Sequence, residues 1–428
     1  MNAADSLIVE AAQIVTCAGF SMAPARGADL GRLGLIENGA LAIKGGRIAA
    51  VGPSAEIRRA FSAPAGQVID ARGKVVMPGF VDPHSHLVFA GDRAAEWEAR
   101  LQGKAYLQIL TEGGGIHATV EATRRASFEE LRDAALRRVA LAASGGTTTL
   151  EAKSGYCLDS EGELKLLEVS RSLAAEQPIE IVSTFLGAHV VPTAYQGRRD
   201  DYIELVERTQ GEVRRRGLAE FVDVYCEQEA FSLSEAERLL VQAKQLGFGL
   251  KLHADQWSSL GATALGLRLG ATSIDHLENL AQADLELWAS TPSPPVAVLL
   301  PGVAFHLGLG RHAPARRLIE RSVPIAIATD MNPGTSPTPS MPMVIALACR
   351  TFGLSVAEAL VAATINAAHA LGRGKLTGSL EAGKRADVVV CDLPDYRWLG
   401  YAFGYHPAAL VFAAGKPIDT RPTTATSS

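Results

Sequence analysis

The sequence predicts an α/β fold: a (β/α)8 TIM barrel joined to a composite β-sandwich domain formed by the N- and C-terminal segments. Eight short apolar strands alternate with helical segments across about 300 residues, as a barrel of this kind requires. Turn-rich β segments precede and follow this alternating region. Several strands end in a histidine or an aspartate, and the carboxyl ends of barrel strands converge on one face.

Both ends of the chain predict β structure. Residues 39–52 alternate around a Gly-Gly turn and predict a hairpin, and residues 68–76 predict a further pair of strands. Short β runs at 386–391 and 409–413 resemble them. We therefore expect residues 1–77 and 376–428 to form the two parts of one composite β domain.

The region between them, residues 78–375, predicts the barrel. Capping boxes, in which a serine is followed three residues later by glutamate, predict helix starts at Ser127–Glu130, Ser234–Glu237 and Ser355–Glu358. An open doubly wound sheet is the alternative, but it needs fewer units and usually carries a glycine-rich phosphate loop after its first strand, which is missing here. The predicted strands are Phe80–His86, Thr147–Glu151, Glu180–Leu186, Phe221–Cys226, Phe248–His253, Thr272–Asp275, Val296–Leu300 and Ile325–Thr329.

Composition excludes several classes of protein. The 428 residues carry a net charge of −5, so no basic surplus indicates a nucleic-acid partner. The five cysteines are scattered and lack a CxxC pair, which argues against a disulfide framework and a thiolate zinc site. The N-terminus has no basic signal region, and no apolar run reaches the ~18 residues of a membrane span. We expect a cytoplasmic protein without membrane partners.

Two histidines follow the first predicted strand, in the run Pro-Gly-Phe-Val-Asp-Pro-His84-Ser-His86. On a strand, an i, i+2 spacing places both imidazoles on one face, as half of a divalent metal site. His253 and Asp330 end later strands and would complete a set of three nitrogens and one oxygen with a position left for water. His276 would lie near that water without being a ligand.

The chain resembles the amidohydrolase superfamily in its PGFVDPHSH run, in His253, His276 and Asp330, and in the pattern at 378–388. Within that superfamily it resembles the imidazolonepropionase family of histidine degradation, over nearly its whole length. Seven motifs carry this closer resemblance, at residues 90–93, 100–106, 112–116, 153–156, 184–189, 299–302 and 328–335.

The resemblance implies hydrolysis of the ring amide C–N bond of 4-imidazolone-5-propanoate to N-formimino-L-glutamate in L-histidine catabolism. Metal-activated water would attack, Asp330 would act as proton shuttle, and His276 would hydrogen-bond the attacking oxygen or the developing oxyanion. One divalent ion, zinc or iron, would be held by His84, His86, His253 and Asp330. A homodimer is the expected assembly. Substrate contacts are implied at Arg93, Tyr156, His189, Gln256, Asn332, Gly334 and Thr335.

Competing interpretations each lack a feature. A binuclear hydrolase would carry a carboxylated lysine at the end of strand four, where this chain has Tyr225-Cys226-Glu227, and Lys153 follows strand two. Superfamily deaminases commonly have glutamate at the position of Gln256, as do some imidazolonepropionases. A noncatalytic scaffold would have lost ligands, whereas all four remain. His276 and His189 could also serve only buried hydrogen bonds, and the segment 401–407 departs from the family pattern.

Overall fold

The computed structural model describes residues 1–104 and 114–418. Eight parallel strands, each paired with the next one in sequence, form the predicted barrel. Their buried apolar side chains face the surrounding helices and the barrel interior, as expected for strands covered on both sides. The strands are Phe80–Asp82, Thr147–Lys153, Glu180–Ala188, Phe221–Cys226, Gly249–Ala254, Ser273–His276, Val296–Leu299 and Ile325–Ile327.

The segment after the first strand completes the contact between the last strand and the first. The regular strand ends at Asp82, so the prediction that it reaches His86 is wrong. The following residues remain extended because they pair with the segment after the eighth strand. The Asp330 amide donates to the His84 carbonyl at 2.9 Å, and the His86 amide donates to the Met331 carbonyl at 2.9 Å. This pairing brings two distant parts of the chain into register.

The helices that surround the barrel begin largely where capping serines predict. The capping boxes at Ser127–Glu130 and Ser355–Glu358 are confirmed. The box predicted at Ser234–Glu237 is wrong, because the helix is capped by Ser232 with Glu235. Phe231, which precedes that cap, is fully buried, and an apolar residue at this position sets the entry angle of the chain. Burial of Phe231 therefore selects between two equally spaced serine–glutamate pairs.

The described helices of the barrel region differ widely in length, and the longest ones cover the second, third and fourth strands. The bounds are Ala94–Leu101, Ile116–Arg125, Phe128–Ser144, Ser160–Glu176, Arg199–Arg216, Leu233–Gln245, Ala262–Leu269, Gln282–Ser290, Pro301–Leu307, Ala315–Glu320, Met341–Thr351, Val356–Ala362 and Ile365–Ala370. Two further helices, Ser54–Ala60 and Trp398–Tyr401, belong to the terminal segments. The motifs predicted at 100–106 and 112–116 fall partly on residues 105–113, outside the described residues.

The terminal segments form a separate β domain, as predicted. Strand Val75–Pro78 joins its two halves, because it pairs antiparallel with Val388–Cys391 and parallel with Ser6–Val15. The hairpin predicted at 39–52 is present and turns at Gly45 and Gly46, both at positive φ. The remaining strands are Leu35–Lys44, Arg47–Pro53, Val68–Asp70, Ala408–Ala413 and Lys416–Ile418, with a small separate pair formed by Asn2–Ala3 and Phe61–Ser62.

Arg385 links this β domain to the barrel through Glu180, and Arg373, at the end of the barrel region, binds the same carboxylate. Arg385 contacts Glu180 and donates to the Thr149 hydroxyl at 2.8 Å, at the starts of two barrel strands. Arg373 donates to the same Glu180 at 2.6 Å and to Glu220 at 2.6 Å. These contacts lie at the amino ends of the strands, opposite the strand ends that carry the histidines. Across the described part of the chain, no helix is both long and apolar enough to cross a membrane.

Candidate active site and metal centre

Four histidines and one aspartate converge at the carboxyl end of the barrel. The ring centroids of His84 and His253 are 4.5 Å apart, and those of His253 and His276 are 5.2 Å apart. The Asp330 Oδ1 atom lies 3.4 Å from the Nε2 atoms of both His84 and His86. All five side chains are buried. Two overlapping triads, His84–His86–His253 and His84–His276–Asp330, each bring one possible ligand atom per residue within 4.8 Å of the others.

The facing atoms of this cluster have no hydrogen-bond partner among the described residues. They include Nε2 of His84, Nε2 of His253 and Oδ1 of Asp330. A buried polar atom without a partner costs about 1–3 kcal/mol, so such atoms rarely cluster by chance. Imidazole nitrogens and a carboxylate oxygen are the donor set that zinc and iron bind. The residues present therefore fit a divalent ion.

Buried carboxylates next to the Nδ1 atoms orient two of the histidines. The Asp275 Oδ2 atom lies 2.6 Å from Nδ1 of His84, which leaves Nε2 of that ring facing Asp330. Asp223 Oδ2 lies 3.0 Å from Nδ1 of His253, although this contact is too bent to count as a hydrogen bond. Carboxylates in this position fix the ring orientation and the tautomer of metal-binding histidines.

Electrostatics favours positive charge at His84. Burial and the Lys153 ammonium would lower the pKa of His84, but the nearby carboxylates of Asp275 and Asp330 raise it to about 9. Burial would raise the pKa of Asp330, but the facing rings of His84 and His86 hold it well below the usual value. The carboxylate of Asp330 is therefore ionised at neutral pH, and a divalent cation in this site would contact a negatively charged oxygen.

Two buried lysines form ion pairs with carboxylates inside the barrel. Lys153 Nζ lies 2.6 Å from Asp223, 3.1 Å from Glu151 and 3.7 Å from Asp275. Lys251 Nζ lies 3.1 Å from Glu151 and donates to the Pro83 carbonyl at 2.7 Å. Burial would lower the pKa of Lys153, but Asp223 and Glu151 raise it above its usual value. Lys153 is thus a charged ammonium in an ion network, which is not the state of a carboxylated bridging lysine.

The predicted substrate residues Tyr156 and His189 lie beside the cluster. The His189 ring stacks on His86 with centroids 5.2 Å apart, and Tyr156 lies 5.5 Å from His86. Burial and the neighbouring His86 lower the pKa of His189 to about 3, so the ring is neutral. Its Nδ1 lies 3.0 Å from the Gly155 carbonyl and must carry the proton, which leaves Nε2 as an acceptor.

Arg93 lies against Gly334, in the loop that follows Asp330. A methyl group on Gly334 would overlap the Arg93 guanidinium, so this glycine is needed for space, not for an unusual φ. The Nε atom of Arg93 is buried without a hydrogen bond in the described structure, and the Glu96 carboxylate lies 3.7 Å away. Arg93 therefore keeps an unused donor beside the site.

Asn332 organises the loop after Asp330. Its Oδ1 accepts hydrogen bonds from the amides of Gly334 and Thr335, at 2.8 and 2.7 Å. Its Nδ2 donates to the Asp330 carbonyl at 2.7 Å and to the Thr335 hydroxyl at 2.7 Å. That hydroxyl lies 3.4 Å from Asp330 Oδ2. The side chain of Asn332 thus holds Asp330, Gly334 and Thr335 in one turn.

The backbone at two strand ends adopts an uncommon conformation. His276 and Leu277 have φ of 82° and 74°, and Asp330 has φ of 48°. Positive φ in residues other than glycine costs about 1–3 kcal/mol and concentrates at functional sites. This strain turns the His276 and Asp330 side chains toward the cluster.

Sequence reasoning missed the polar residues inside the barrel, although a signal for them was present. Asp223 and Lys251 interrupt apolar strands, and Lys251 precedes His253 by two residues, so both side chains face the same way. Glu151 and Lys153 share a face in the same manner. A charged residue two positions before a candidate ligand thus marks the layer beneath the metal site.

Comparisons with known proteins assign the family. Residues 75–420 match the model of the amidohydrolase family, and residues 39–61 match that of the bacterial imidazolonepropionase-like composite domain. The imidazolonepropionase of Geobacillus kaustophilus is 48% identical over 95% of this chain and 96% of its own length. That of Chloroflexus aggregans is 44% identical over 98% and 100%. The chain belongs to the imidazolonepropionase family. It is therefore a hydrolase, and the resemblance found in its motifs is confirmed.

Solved structures with the same fold extend beyond this family. An adenosine deaminase from Xanthomonas campestris with bound zinc has a TM-score of 0.72 at 22% identity, and covers 97% of this chain and 93% of its own. The guanine deaminase of Escherichia coli has a TM-score of 0.68 at 18% identity, with coverage of 97% and 99%. At these identities the likeness concerns the fold. Family membership and the cluster of imidazoles together indicate a metal cofactor.

Proposed function

We propose that this chain hydrolyses the ring amide bond of 4-imidazolone-5-propanoate to N-formimino-L-glutamate, using one zinc or iron ion held by His84, His86, His253 and Asp330. One observation carries the proposal: an ionised carboxylate and several imidazole nitrogens face one another, buried and unpartnered within the described residues. The family relationship supplies the substrate. A divalent ion in such a site lowers the pKa of a water molecule toward ~7 and polarises a carbonyl.

Asp330 is the proposed proton shuttle. Its two oxygens have different surroundings, because Oδ1 faces the Nε2 atoms of His84 and His86 whereas Oδ2 lies near Thr335. We assign proton transfer to Oδ2, which takes a proton from the attacking water and returns it to the leaving ring nitrogen. His276, whose ring centroid lies 5.6 Å from that of His84, hydrogen-bonds the attacking oxygen and the oxyanion that develops.

Three side chains bind the two ends of the substrate. Arg93 receives the propionate carboxylate, because its guanidinium retains an unused buried donor and offers a planar fork. His189 accepts a hydrogen bond from a ring N–H at Nε2, since its Nδ1 is committed to Gly155. Tyr156 lies across the same space and donates its hydroxyl to the substrate. Burial raises the pKa of Tyr156 above its usual value, so the hydroxyl keeps its proton.

The experiment that tests this proposal follows two products at once. Metal-loaded protein is incubated with fresh imidazolonepropanoate, and formiminoglutamate, ammonium and bound metal per chain are measured in the same sample. We expect formiminoglutamate without early ammonium, and one ion per chain. Stoichiometric early ammonium would place the chain with the deaminases, and two tightly bound ions would contradict the mononuclear site.

Further parts of this proposal rest on the sequence. We propose a homodimer in the cytoplasm, with the composite domain limited to residues 1–77 and 376–428 and the barrel to residues 78–375. The strand pairing between the two terminal segments supports a composite domain built from both ends of the chain. Sedimentation analysis of the purified chain tests the dimer, and a monomer at micromolar concentration would contradict it.

A further inference from the structure

Glu163 is a buried acidic residue that takes part neither in the proposed chemistry nor in the ion pairs inside the barrel. It lies in the first turn of helix Ser160–Glu176, which follows the second barrel strand, and its exposed fraction is 2%. A carboxyl group at this depth is costly unless hydrogen-bond donors surround it. The loop that connects the strand to the helix supplies those donors, and this loop contains Tyr156.

Three main-chain amides of the loop donate hydrogen bonds to Glu163. The Gly155 amide donates to Oε2 at 2.7 Å, and the amides of Cys157 and Leu158 both donate to Oε1 at 2.8 Å. The direction of these bonds is fixed, because a main-chain N–H group can only donate. The three contacts lie on both sides of Tyr156 in the chain, so one side chain holds the backbone of the whole loop.

Gly155 transmits this constraint to His189, which follows the third barrel strand. The Gly155 carbonyl can only accept, so the Nδ1 atom of His189, 3.0 Å away, is the donor. Gly155 has φ of 106°, and a methyl group on it would lie 2.8 Å from the Leu186 carbonyl oxygen and 3.0 Å from Nδ1 of His189. Only glycine adopts this conformation without strain. Gly155 is therefore bound to Glu163 through its amide and to His189 through its carbonyl.

The ring of His189 lies directly against the histidine cluster. It stacks on His86 with an interplanar angle of 14°, and its centroid is 6.0 Å from that of His253. A neutral imidazole with its proton on Nδ1 can accept only at Nε2. If the Gly155 carbonyl turned away, the proton could move to Nε2, and the ring would then oppose a ligand N–H group with a second donor.

We propose that Glu163 is a positioning residue for substrate binding: it holds the loop at 154–158 and, through the Gly155 carbonyl, keeps the proton of His189 on Nδ1. The ligand group that meets His189 must then be a donor, which a ring N–H provides. This inference rests on the proposed function and extends it to a residue on the helix behind the loop.

The first test is the variant Glu163→Gln, which replaces one acceptor oxygen by an NH2 group that opposes a loop amide. Imidazole-4-propanoate, which has ring nitrogens and the propionate but no amide to hydrolyse, is titrated calorimetrically into zinc-loaded protein. We expect its Kd to rise about 3- to 10-fold, the effect of one net hydrogen bond. KM for imidazolonepropanoate should rise by a similar factor, with kcat within about threefold of wild type.

Glu358→Gln is the matched control. Glu358 also lies in the first turn of a helix, Val356–Ala362, and accepts a hydrogen bond from the main-chain amide of Ser355 at 2.7 Å. The control variant therefore removes the same kind of contact away from the loop at 154–158. It should leave Kd and KM unchanged.

The second test observes His189 directly. Nitrogen-15 NMR of histidine-labelled, zinc-loaded protein at pH 8 distinguishes the two neutral tautomers, and the signal of His189 is assigned by its loss in His189→Ala. We expect the proton on Nδ1 in wild type and in Glu358→Gln, and a mixture of tautomers in Glu163→Gln. A purely structural role of Glu163 would lower stability without changing this signal.

The outcomes of these tests can be told apart. Wild-type protein with the His189 proton on Nε2 would overturn the inference, even if Glu163→Gln did not fold. An unchanged Kd and an unchanged tautomer in folded Glu163→Gln would also overturn it. A rise in Kd together with mixed tautomers, but without turnover of imidazolonepropanoate by wild type, would retain the role of Glu163 and overturn the proposed reaction.

Discussion

At the scale of single residues, Asp330 has two proposed roles, as a metal ligand and as the proton shuttle. Its loop is held by the Asn332 side chain, and its backbone lies at φ 48°. Asparagine has nearly the same shape and can still offer an oxygen to a metal ion, but it cannot accept a proton near neutral pH. A substitution at this position therefore distinguishes binding from proton transfer.

We expect Asp330→Asn to keep the fold and much of the metal while kcat falls by at least about 100-fold, the usual contribution of a general base. The measurement is kcat on imidazolonepropanoate with metal analysis of the same preparation. A variant with metal bound and near wild-type kcat would show that another residue moves the proton.

A second prediction at this scale concerns Arg93 and Gly334. Loss of a partly desolvated charge pair costs about 2–5 kcal/mol, so Arg93→Ala should raise KM for the propionate substrate at least about 30-fold. Gly334→Ala should also raise KM, because the added methyl group displaces the guanidinium. The control is Gly211→Ala, in an open position of helix Arg199–Arg216, which should leave KM unchanged and stabilise the protein by about 0.5–1 kcal/mol.

If KM stays the same in Arg93→Ala, the carboxylate binds elsewhere, and His189 becomes the next candidate. If Arg93→Ala raises KM but Gly334→Ala does not, the guanidinium can bind the substrate from a second position.

At the scale of elements, four of the barrel strands share one buried ion network. Glu151 and Lys153 on the second strand meet Asp223 on the fourth, Lys251 on the fifth and Asp275 on the sixth. The exposed fraction of each of these side chains is 0–1%. Charges buried this deeply persist only when every partner is present. The network thus connects strand packing to the orientation of His84 and His253.

We expect Lys153→Met to weaken zinc binding about 10- to 100-fold, because Asp223 and Asp275 lose the cation that holds them behind the histidines. The measurement is competition for zinc between the metal-free protein and a chromophoric chelator, with circular dichroism to verify folding. Lys244→Met is the matched control: it removes a lysine that donates to the Leu269 carbonyl at 2.7 Å on the outer helices. Equal zinc affinity in Lys153→Met and wild type would show that the histidines hold their geometry without the network.

At the scale of the whole molecule, the composite domain is attached to the amino ends of the barrel strands, away from the site. Glu180 is central to this junction, because it contacts Arg385 of the C-terminal segment as well as Arg373 at the end of the barrel region. Burial would raise the pKa of Glu180, but the two arginines lower it below its usual value. The carboxylate therefore remains charged and bridges the C-terminal segment to the third strand.

We expect Glu180→Gln to lower the free energy of unfolding by about 1–2 kcal/mol. This is less than the loss of a fully buried charged hydrogen bond would cost, because the Glu180 side chain is partly exposed. Turnover should remain near wild type, since the junction lies at the far end of the barrel. Chemical denaturation measures the change. Glu204→Gln, which removes an exposed pair with Arg208, is the control and should stay within about 0.5 kcal/mol. A loss of activity at unchanged stability would instead couple the junction to the site.

The sequence by itself determined the eight alternating units, the two-ended β domain and the identity of the chemical groups at the strand ends, because strand periodicity and residue type are local properties. Tertiary structure decided what local pattern leaves open. Burial of Phe231 makes Ser232, and not Ser234, the cap of its helix. His84 lies beyond the end of the first strand and is held in place by backbone pairing with the segment around Asp330. Tertiary structure also placed Tyr225 against Gln256, since contacts between neighbouring strands depend on their register in the closed barrel, which no single segment specifies.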